Sequence, residues 1–286
     1  MSRSHFTDYD AAVTERCERA LLTLLGDLGP WRERIYLAGG LAPRYLVGAT
    51  PASGPHVGTT DVDLIIGLAL EDENPETYRT LYNNLRGAKF EEGDSSFQWR
   101  RTVDGATVLV EFLCGTEAVA PGRIYKPKDE YMGSRLGAFN VRGAQLARHD
   151  FIECTIEGER LDGGGRSQVV VRVANLLPYV VLKILAFQDR HENKDSYDLV
   201  FTILNFGDGA RSAGMAAARS AVIDHPQVDE AIGLLEQRYA DTGHDGPSAY
   251  ADFLENGDAD KHARDRQQAV ATVRAFVRGF REARGQ

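Results

Sequence analysis

Apolar positions recur at helical spacing over Val13, Cys17, Leu21, Leu24, Leu25 and Leu28. This predicts a first helix, capped by Thr7 or Asp8 and ended at Gly26 or Gly29. Two short apolar runs follow, 34–38 and 61–66, and both read as strands. Between them stand Gly39-Gly40, a helix opening at 41–46, and a loop over 49–60 rich in Gly, Pro, Ser and Thr. Residues 71–76 read as a turn and 78–85 as a helix. The runs 97–103 and 107–113 are strands joined by Asp104-Gly105, a strong hairpin signal. Strands at 151–161 and 168–173 flank the turn LDGGGR. Beyond them the periodicity is helical, over 175–190, 195–206, 210–222, 228–239, 247–255 and 262–282. The class this predicts is α/β (α+β): a mixed sheet carrying helices, then a mainly helical C-terminal part. The boundary falls in 115–150. We expect an α/β domain over 1–130 and a β-hairpin plus helical domain over 131–286.

Composition narrows the class. The chain has 286 residues, 43% apolar and 26% charged. These values exclude collagen-like, coiled-coil and disordered readings, and the length suits one large or two modest domains. Three cysteines (Cys17, Cys114 and Cys154) are odd in number and far apart, which argues for a reducing compartment and against a zinc site. The polar start MSRSHFTDYD has no apolar core of a signal peptide. The most apolar run, LLPYVVLKILAF, has 12 residues and contains a lysine, too short to span a bilayer. A cytoplasmic protein with no membrane partner is expected. The net charge of −9 excludes a sequence-blind wrapper of nucleic acid, although local basic patches remain. One such patch is Arg123, Lys126, Lys128, Arg135, Arg142 and Arg148, with Asp129 and Glu130 among them.

Four features carry candidate chemistry. Asp61-Val62-Asp63 opens a strand, so both carboxylates project from one face and can share a hard cation such as Mg²⁺. The plain alternative is two solvent-facing acids at a strand end. Glu111 interrupts the apolar strand VLVEFL and needs a cation or donors there, for which Arg100 or Arg101 on the hairpin partner would serve. Gly39-Gly40, between a strand and a helix, lets the backbone approach a phosphate, or simply makes a tight turn. Lys183 lies inside an apolar helix, where Leu176, Tyr179, Val180, Phe187 and Arg190 share its face. It must snorkel or meet an anion. In K-D-S-Y-D-L-V, Asp195 and Asp198 are three apart and share a helix face. The alternative there is a helix start favouring acids.

Together these residues resemble the nucleotidyltransferase superfamily of DNA polymerase β type, and more closely its AbiEii/MenT group of toxin nucleotidyltransferases. The shared pattern is Gly39-Gly40, then Thr59-Thr60-Asp61-Val62-Asp63, then Lys183, then Lys194-Asp195-Ser196-Tyr197-Asp198. It runs from about Leu37 to Leu204. Val57 stands where the group often has an arginine. The resemblance implies a polymerase β-type mixed sheet and transfer of an NMP from an NTP with release of pyrophosphate. It also implies one or two Mg²⁺ ions and a helical part that completes the active site. Asp61 and Asp63 would ligate metal, with Glu111 as a further candidate ligand. Thr59 and Thr60 would seat the nucleotide with Gly39 and Gly40. Lys183 and Arg190 would neutralise phosphate, Asp195 would belong to the nucleotide site, and Asp198 or Glu111 would be the base. Lys183 is expected to serve the triphosphate rather than an internal salt bridge, so with Lys183→Met stability should hold or rise. The implied acceptor is the 3′ end of tRNA, with a cognate antitoxin as partner protein. The rivals are an aminoglycoside-type nucleotidyltransferase, favoured by the acidic run Glu71, Asp72, Glu73 and Glu76, and a non-catalytic nucleotide-binding partner on the same fold. On the last helix, Arg264, Arg266, Arg274, Arg278, Arg281 and Arg284 could meet RNA. They could equally form a solvated face over a core stripe of Val270, Val273, Phe276, Val277 and Phe280.

Overall fold

The computed structural model describes residues 5–48, 51, 54–66, 75–103, 105–126, 135–255 and 257–285, with the side chains of 30, 75–79 and 162 excepted. The acidic run at 71–73, Asp104 and Lys128 lie outside the described residues, as does the side chain of Glu76. The chain forms two compact units. One comprises Ala11–Ala42 and Gly58–Ala174. The other comprises Met1–Asp10, Pro43–Val57 and Asn175–Gln286.

The first unit is built on a mixed open sheet with nine strands among the described residues. These are β1 (Ile35–Leu37), β2 (Asp61–Ile66), β3 (Glu91–Glu92), β4 (Gln98–Val103), β5 (Ala106–Cys114), β6 (Ile124–Tyr125), β7 (Ala138–Asn140), β8 (Phe151–Glu159) and β9 (Arg166–Ala174). The order is β3-β4-β5-β2-β1-β9-β8, with β7 pairing β5 and β6. The pairs β2–β5, β1–β9 and β5–β7 are parallel, and the remaining pairs are antiparallel. The hairpin expected from Asp104-Gly105 is present: Val103 pairs with Ala106, and Gly105 takes φ +75°. Two helices, α1 (Ala11–Asp27) and α3 (Pro75–Gly87), belong to this unit and touch each other. Helix α1 packs on β2, β5, β8 and β9 through buried Cys17, Leu21, Leu24 and Leu25. It begins two to three residues later than a cap at Asp8 or Thr7 would start it, and Phe6–Asp8 forms a separate 3₁₀ turn.

The second unit is helical. It contains α2 (Pro43–Leu46), α4 (Leu176–Arg190), α5 (Asn193–Asn205), α6 (Ala210–Ala217), α7 (Pro226–Arg238), α8 (Asp245–Phe253) and α9 (Ala259–Arg284). The two compact units divide the chain differently from the expected boundary between 130 and 131. The β8–β9 hairpin belongs to the sheet unit because β9 pairs with β1, so the compact helical run begins at Asn175. The segments before Ala11 and over Pro43–Val57 also belong with the helices. Backbone pairing, which periodicity does not report, assigns the hairpin. The helix expected to reach 222 stops at Ala217, ahead of turns and of Pro226 at the start of α7.

Candidate functional site

The register of three strands assembles the acidic candidates. Asp63 on β2 lies opposite Glu111 on β5, and Glu111 lies opposite Gln98 on β4. Asp61 stands two residues before Asp63 and therefore on the same face. Val62, Leu64, Val110 and Phe112 alternate with these residues and are buried. The two aspartates and Glu111 are half-buried. Glu111 can thus interrupt an apolar strand because it occupies the wetter face. Gln98 Nε2 donates to Glu111 Oε1 at 2.8 Å. Of the expected partners, Arg101 turns to the opposite face, where it donates to the Ala88 carbonyl at 2.7 Å and lies over the Phe90 ring. Arg100 approaches Asp94 at 3.9 Å. Gln98 was not among the sequence candidates. A two-residue hairpin loop sets the register, which would have found it.

The glycine pair sits against this row. Gly39 takes φ +63°, and a Cβ there would stand 1.7 Å from Asp63 Oδ2. Only glycine leaves room for the Asp63 carboxylate over that backbone. The Ala38 amide donates to the Asp63 carbonyl at 2.9 Å. Gly40 is buried, and Thr60 is half-buried just before β2. Thr59 donates its hydroxyl to Asp61 Oδ1 at 2.8 Å. Burial, and then the charges of Asp61 and Asp63 among its neighbours, push the Cys17 thiol up to about 12, which leaves it inert.

Among the described residues no three His, Cys, Asp or Glu side chains are gathered closely enough to form a ready metal cage. Mg²⁺ does not require one. It is commonly bound by one or two carboxylates with the remaining positions filled by water and substrate phosphate. Asp61 and Asp63 meet that requirement as hard oxygen donors on one face.

The helical unit holds a second cluster. Lys183 on α4 is buried, and its ammonium donates to Asp195 Oδ1 at 3.2 Å and Asp198 Oδ2 at 2.6 Å, both on α5. Arg190 holds Asp195 through two bonds at 2.6 and 2.8 Å. Lys194 reaches both oxygens of Asp198 at 2.8 and 2.9 Å, and His56 Nε2 lies 2.9 Å from Asp198 Oδ1. The expectation that Lys183 has no internal salt bridge is therefore corrected. It is the centre of one, because an apolar helix offers its charge no water. Burial pushes the Asp198 carboxyl up, but Lys183 and Lys194 outweigh burial and hold it well below the usual range. Burial likewise opposes the Lys183 ammonium, and Asp198 leads the groups that raise it well above its ordinary value. The Asp198 carboxylate is thus a poor proton acceptor. His56 and Lys194 were not site candidates. The i,i+4 spacing of Lys194 and Asp198 was available as a signal, whereas nothing local points to His56.

Burial lowers His56 to about 4, although Asp198 favours its protonation. Lys194 and Lys183 already neutralise that carboxylate, so a further charge gains little. The His56 ring stays neutral with its proton on Nε2, packed against Tyr197 and Phe201. Between pH 6.5 and 4 the unfolded chain binds a proton here that the folded chain refuses. This histidine therefore costs no stability above pH 6.5 and removes about 3 kcal/mol as pH falls to 4. Urea unfolding at pH 7, 5.5 and 4.5 should show that loss, and His56→Gln should flatten it. An equal slope in the variant would assign the acid lability elsewhere.

No protein-family model, curated protein or solved structure matches this chain.

The site residues named from sequence fall into one cluster in each unit. Asp61, Asp63, Glu111, Gly39, Gly40, Thr59 and Thr60 lie in the sheet unit, and Lys183, Arg190, Asp195 and Asp198 in the helical unit. On α9 the core-stripe reading describes the helix: Val270, Val273, Phe276, Val277 and Phe280 are all buried. Arg281 pairs with Glu236, Arg284 with Asp229 and Asp224, and Arg278 approaches Glu282. Among the described residues no helix is long and apolar enough to cross a membrane.

Proposed function

We propose that the protein is a Mg²⁺-dependent nucleotidyltransferase that moves an NMP from an NTP to the 3′ end of tRNA and acts as the toxin of a toxin–antitoxin pair, on a polymerase β-type fold. One observation carries the proposal. Asp61, Asp63 and Glu111 share one sheet face, with Asp63 and Glu111 on adjacent strands in register and the Asp63 carboxylate seated over the Gly39 backbone. That arrangement suits phosphoryl chemistry, in which charge neutralisation and positioning do most of the work. Mg²⁺ held by Asp61 and Asp63 would neutralise phosphate charge. Glu111, steadied by Gln98, would take the proton from the acceptor hydroxyl. The hydroxyl oxygen would then bond to the α-phosphorus, and the bond from that phosphorus to the bridging oxygen would break, releasing pyrophosphate. Thr59, Thr60, Gly39 and Gly40 would line the nucleotide. The resemblance assigns Lys183 and Arg190 to phosphate and Asp195 to the nucleotide site.

The deciding experiment incubates the protein with each α-labelled NTP, Mg²⁺, and either total tRNA or an aminoglycoside. Label on tRNA that is lost in Asp61→Asn supports the proposal. Label on the aminoglycoside supports the small-acceptor rival, and no transfer to either acceptor supports a binding role.

An RNA acceptor also predicts a salt signature. Arg123, Lys126 and Arg135 are exposed. The double change Arg123→Glu with Lys126→Glu should weaken tRNA binding and lower the slope of log affinity against log salt by about 0.7–0.9 per lost phosphate contact. NTP binding should not change. Titrations at three salt concentrations measure this, and an unchanged slope would remove these residues from the RNA interface.

A further inference from the structure

Thr14, on the first turns of α1, is buried and lies forty-five residues before Thr59. A helical threonine ordinarily turns its hydroxyl back on its own helix. Here the Thr14 hydroxyl donates to the Thr59 carbonyl at 3.2 Å and accepts from the Thr59 amide at 3.0 Å. Both backbone groups of one residue are thus held by a single side-chain oxygen. Thr59 is itself buried and donates its own hydroxyl to Asp61 Oδ1 at 2.8 Å. The backbone is shaped to admit this clamp. Gly58 takes φ +92°, and a Cβ there would stand 2.0 Å from Thr14 Oγ1. Two residues in succession, Gly58 by its lack of a side chain and Thr59 by its amide and carbonyl, are fitted to one hydroxyl of a remote helix.

We propose that Thr14 is a positioning residue for Asp61, acting through Thr59. With Oδ1 held by Thr59, the orientation of the carboxylate follows the placement of the Thr59 hydroxyl. Its use in metal binding rests on the proposed function, but the clamp itself does not. A group that orients a metal ligand commonly changes affinity by 10–100-fold when removed. Thr14→Val keeps the shape and removes the hydroxyl, whereas Thr14→Ser keeps the hydroxyl.

The test uses the full chain and two readouts. The first is NMR of the metal-free protein: the exchange protection of the Thr59 amide and the Asp61 carboxyl ¹³C resonance. Thr14→Val should reduce protection at least tenfold and move the carboxyl resonance, and Thr14→Ser should restore both. The second is binding of Mn²⁺ alone, followed by water proton relaxation. Thr14→Val should weaken it about tenfold and Thr14→Ser should return it to within twofold. Near-UV circular dichroism shows whether the valine variant folds. If it does not, Thr59→Val reports on the second link by the Asp61 resonance. A Thr14→Val protein with unchanged Thr59 protection and an unchanged Asp61 resonance overturns the proposal, as does a serine variant that fails to restore them. Wild-type protein that binds no Mn²⁺ counts against the metal reading, and the NMR arm still decides the clamp.

Discussion

On the proposed function, Asp63→Asn should lower nucleotidyl transfer by about 10³-fold while leaving the protein folded. The asparagine keeps the shape that fits over Gly39, where a Cβ would collide with Oδ2, so the packing between strand and glycine turn survives. What is lost is one negative charge from a row of three carboxylates on β2 and β5. Neutralising and orienting a phosphoryl group is worth several kcal/mol of barrier, and a factor of 10³ corresponds to about 4 kcal/mol. Stability should hold or rise slightly, since Asp61 and Asp63 lie one strand-step apart and repel each other. Single-turnover transfer at saturating Mg²⁺ and NTP, set beside a urea unfolding curve, measures both quantities. Transfer within tenfold of wild type would end the assignment of Asp63 to metal. Loss of folding would mean that its role is structural.

Lys183→Met should destabilise the protein by about 3 kcal/mol, the reverse of what its apolar helix suggests. Methionine fits the stem, but the missing ammonium leaves two buried carboxylates short of a cation. Removing one member of a buried ion pair costs about 3–5 kcal/mol. The lower end applies because Asp195 keeps Arg190 and Asp198 keeps Lys194 and His56. The urea midpoint should fall by roughly 1 M. Adding Asp198→Asn to Lys183→Met removes one orphaned charge and should recover part of the loss. The sign of the pH dependence follows from the same cluster. Asp198 is held below its ordinary range, so its contribution is present above about pH 4 and lost in stronger acid. Lys183 is held above its ordinary value, so its contribution is present below about pH 10 and lost in stronger alkali. An unchanged midpoint in Lys183→Met would show that the ammonium contributes nothing net, and would return Lys183 to a purely ligand-directed role.

Much of the fold was legible in the chain. A short apolar run placed β2, runs joined by the Asp104-Gly105 turn placed β4 and β5, and period-3.6 patterns placed α4, α5 and α7–α9 within a few residues. All of these signals are local. The common face of Asp61 and Asp63 follows from strand alternation, and that of Asp195 and Asp198 from helical spacing. The Asp104-Gly105 turn even contained the Gln98–Glu111 pairing, because a two-residue loop fixes the register of its strands.

Other features depend on which distant segments meet, and no local pattern encodes that. Pairing of β9 with β1 moved the domain boundary to Asn175. The buried carboxylates of α5 made Lys183 an internal ion pair. His56 joined Asp198 across 142 residues, and Thr14 reached Thr59 across 45. By itself the sequence determined the elements, the faces of the acidic residues and the need of Lys183 for an anion. The tertiary structure decided which anion, which donor and which hydroxyl, because a buried polar group takes the partner that packing brings within about 3 Å, whatever the separation along the chain.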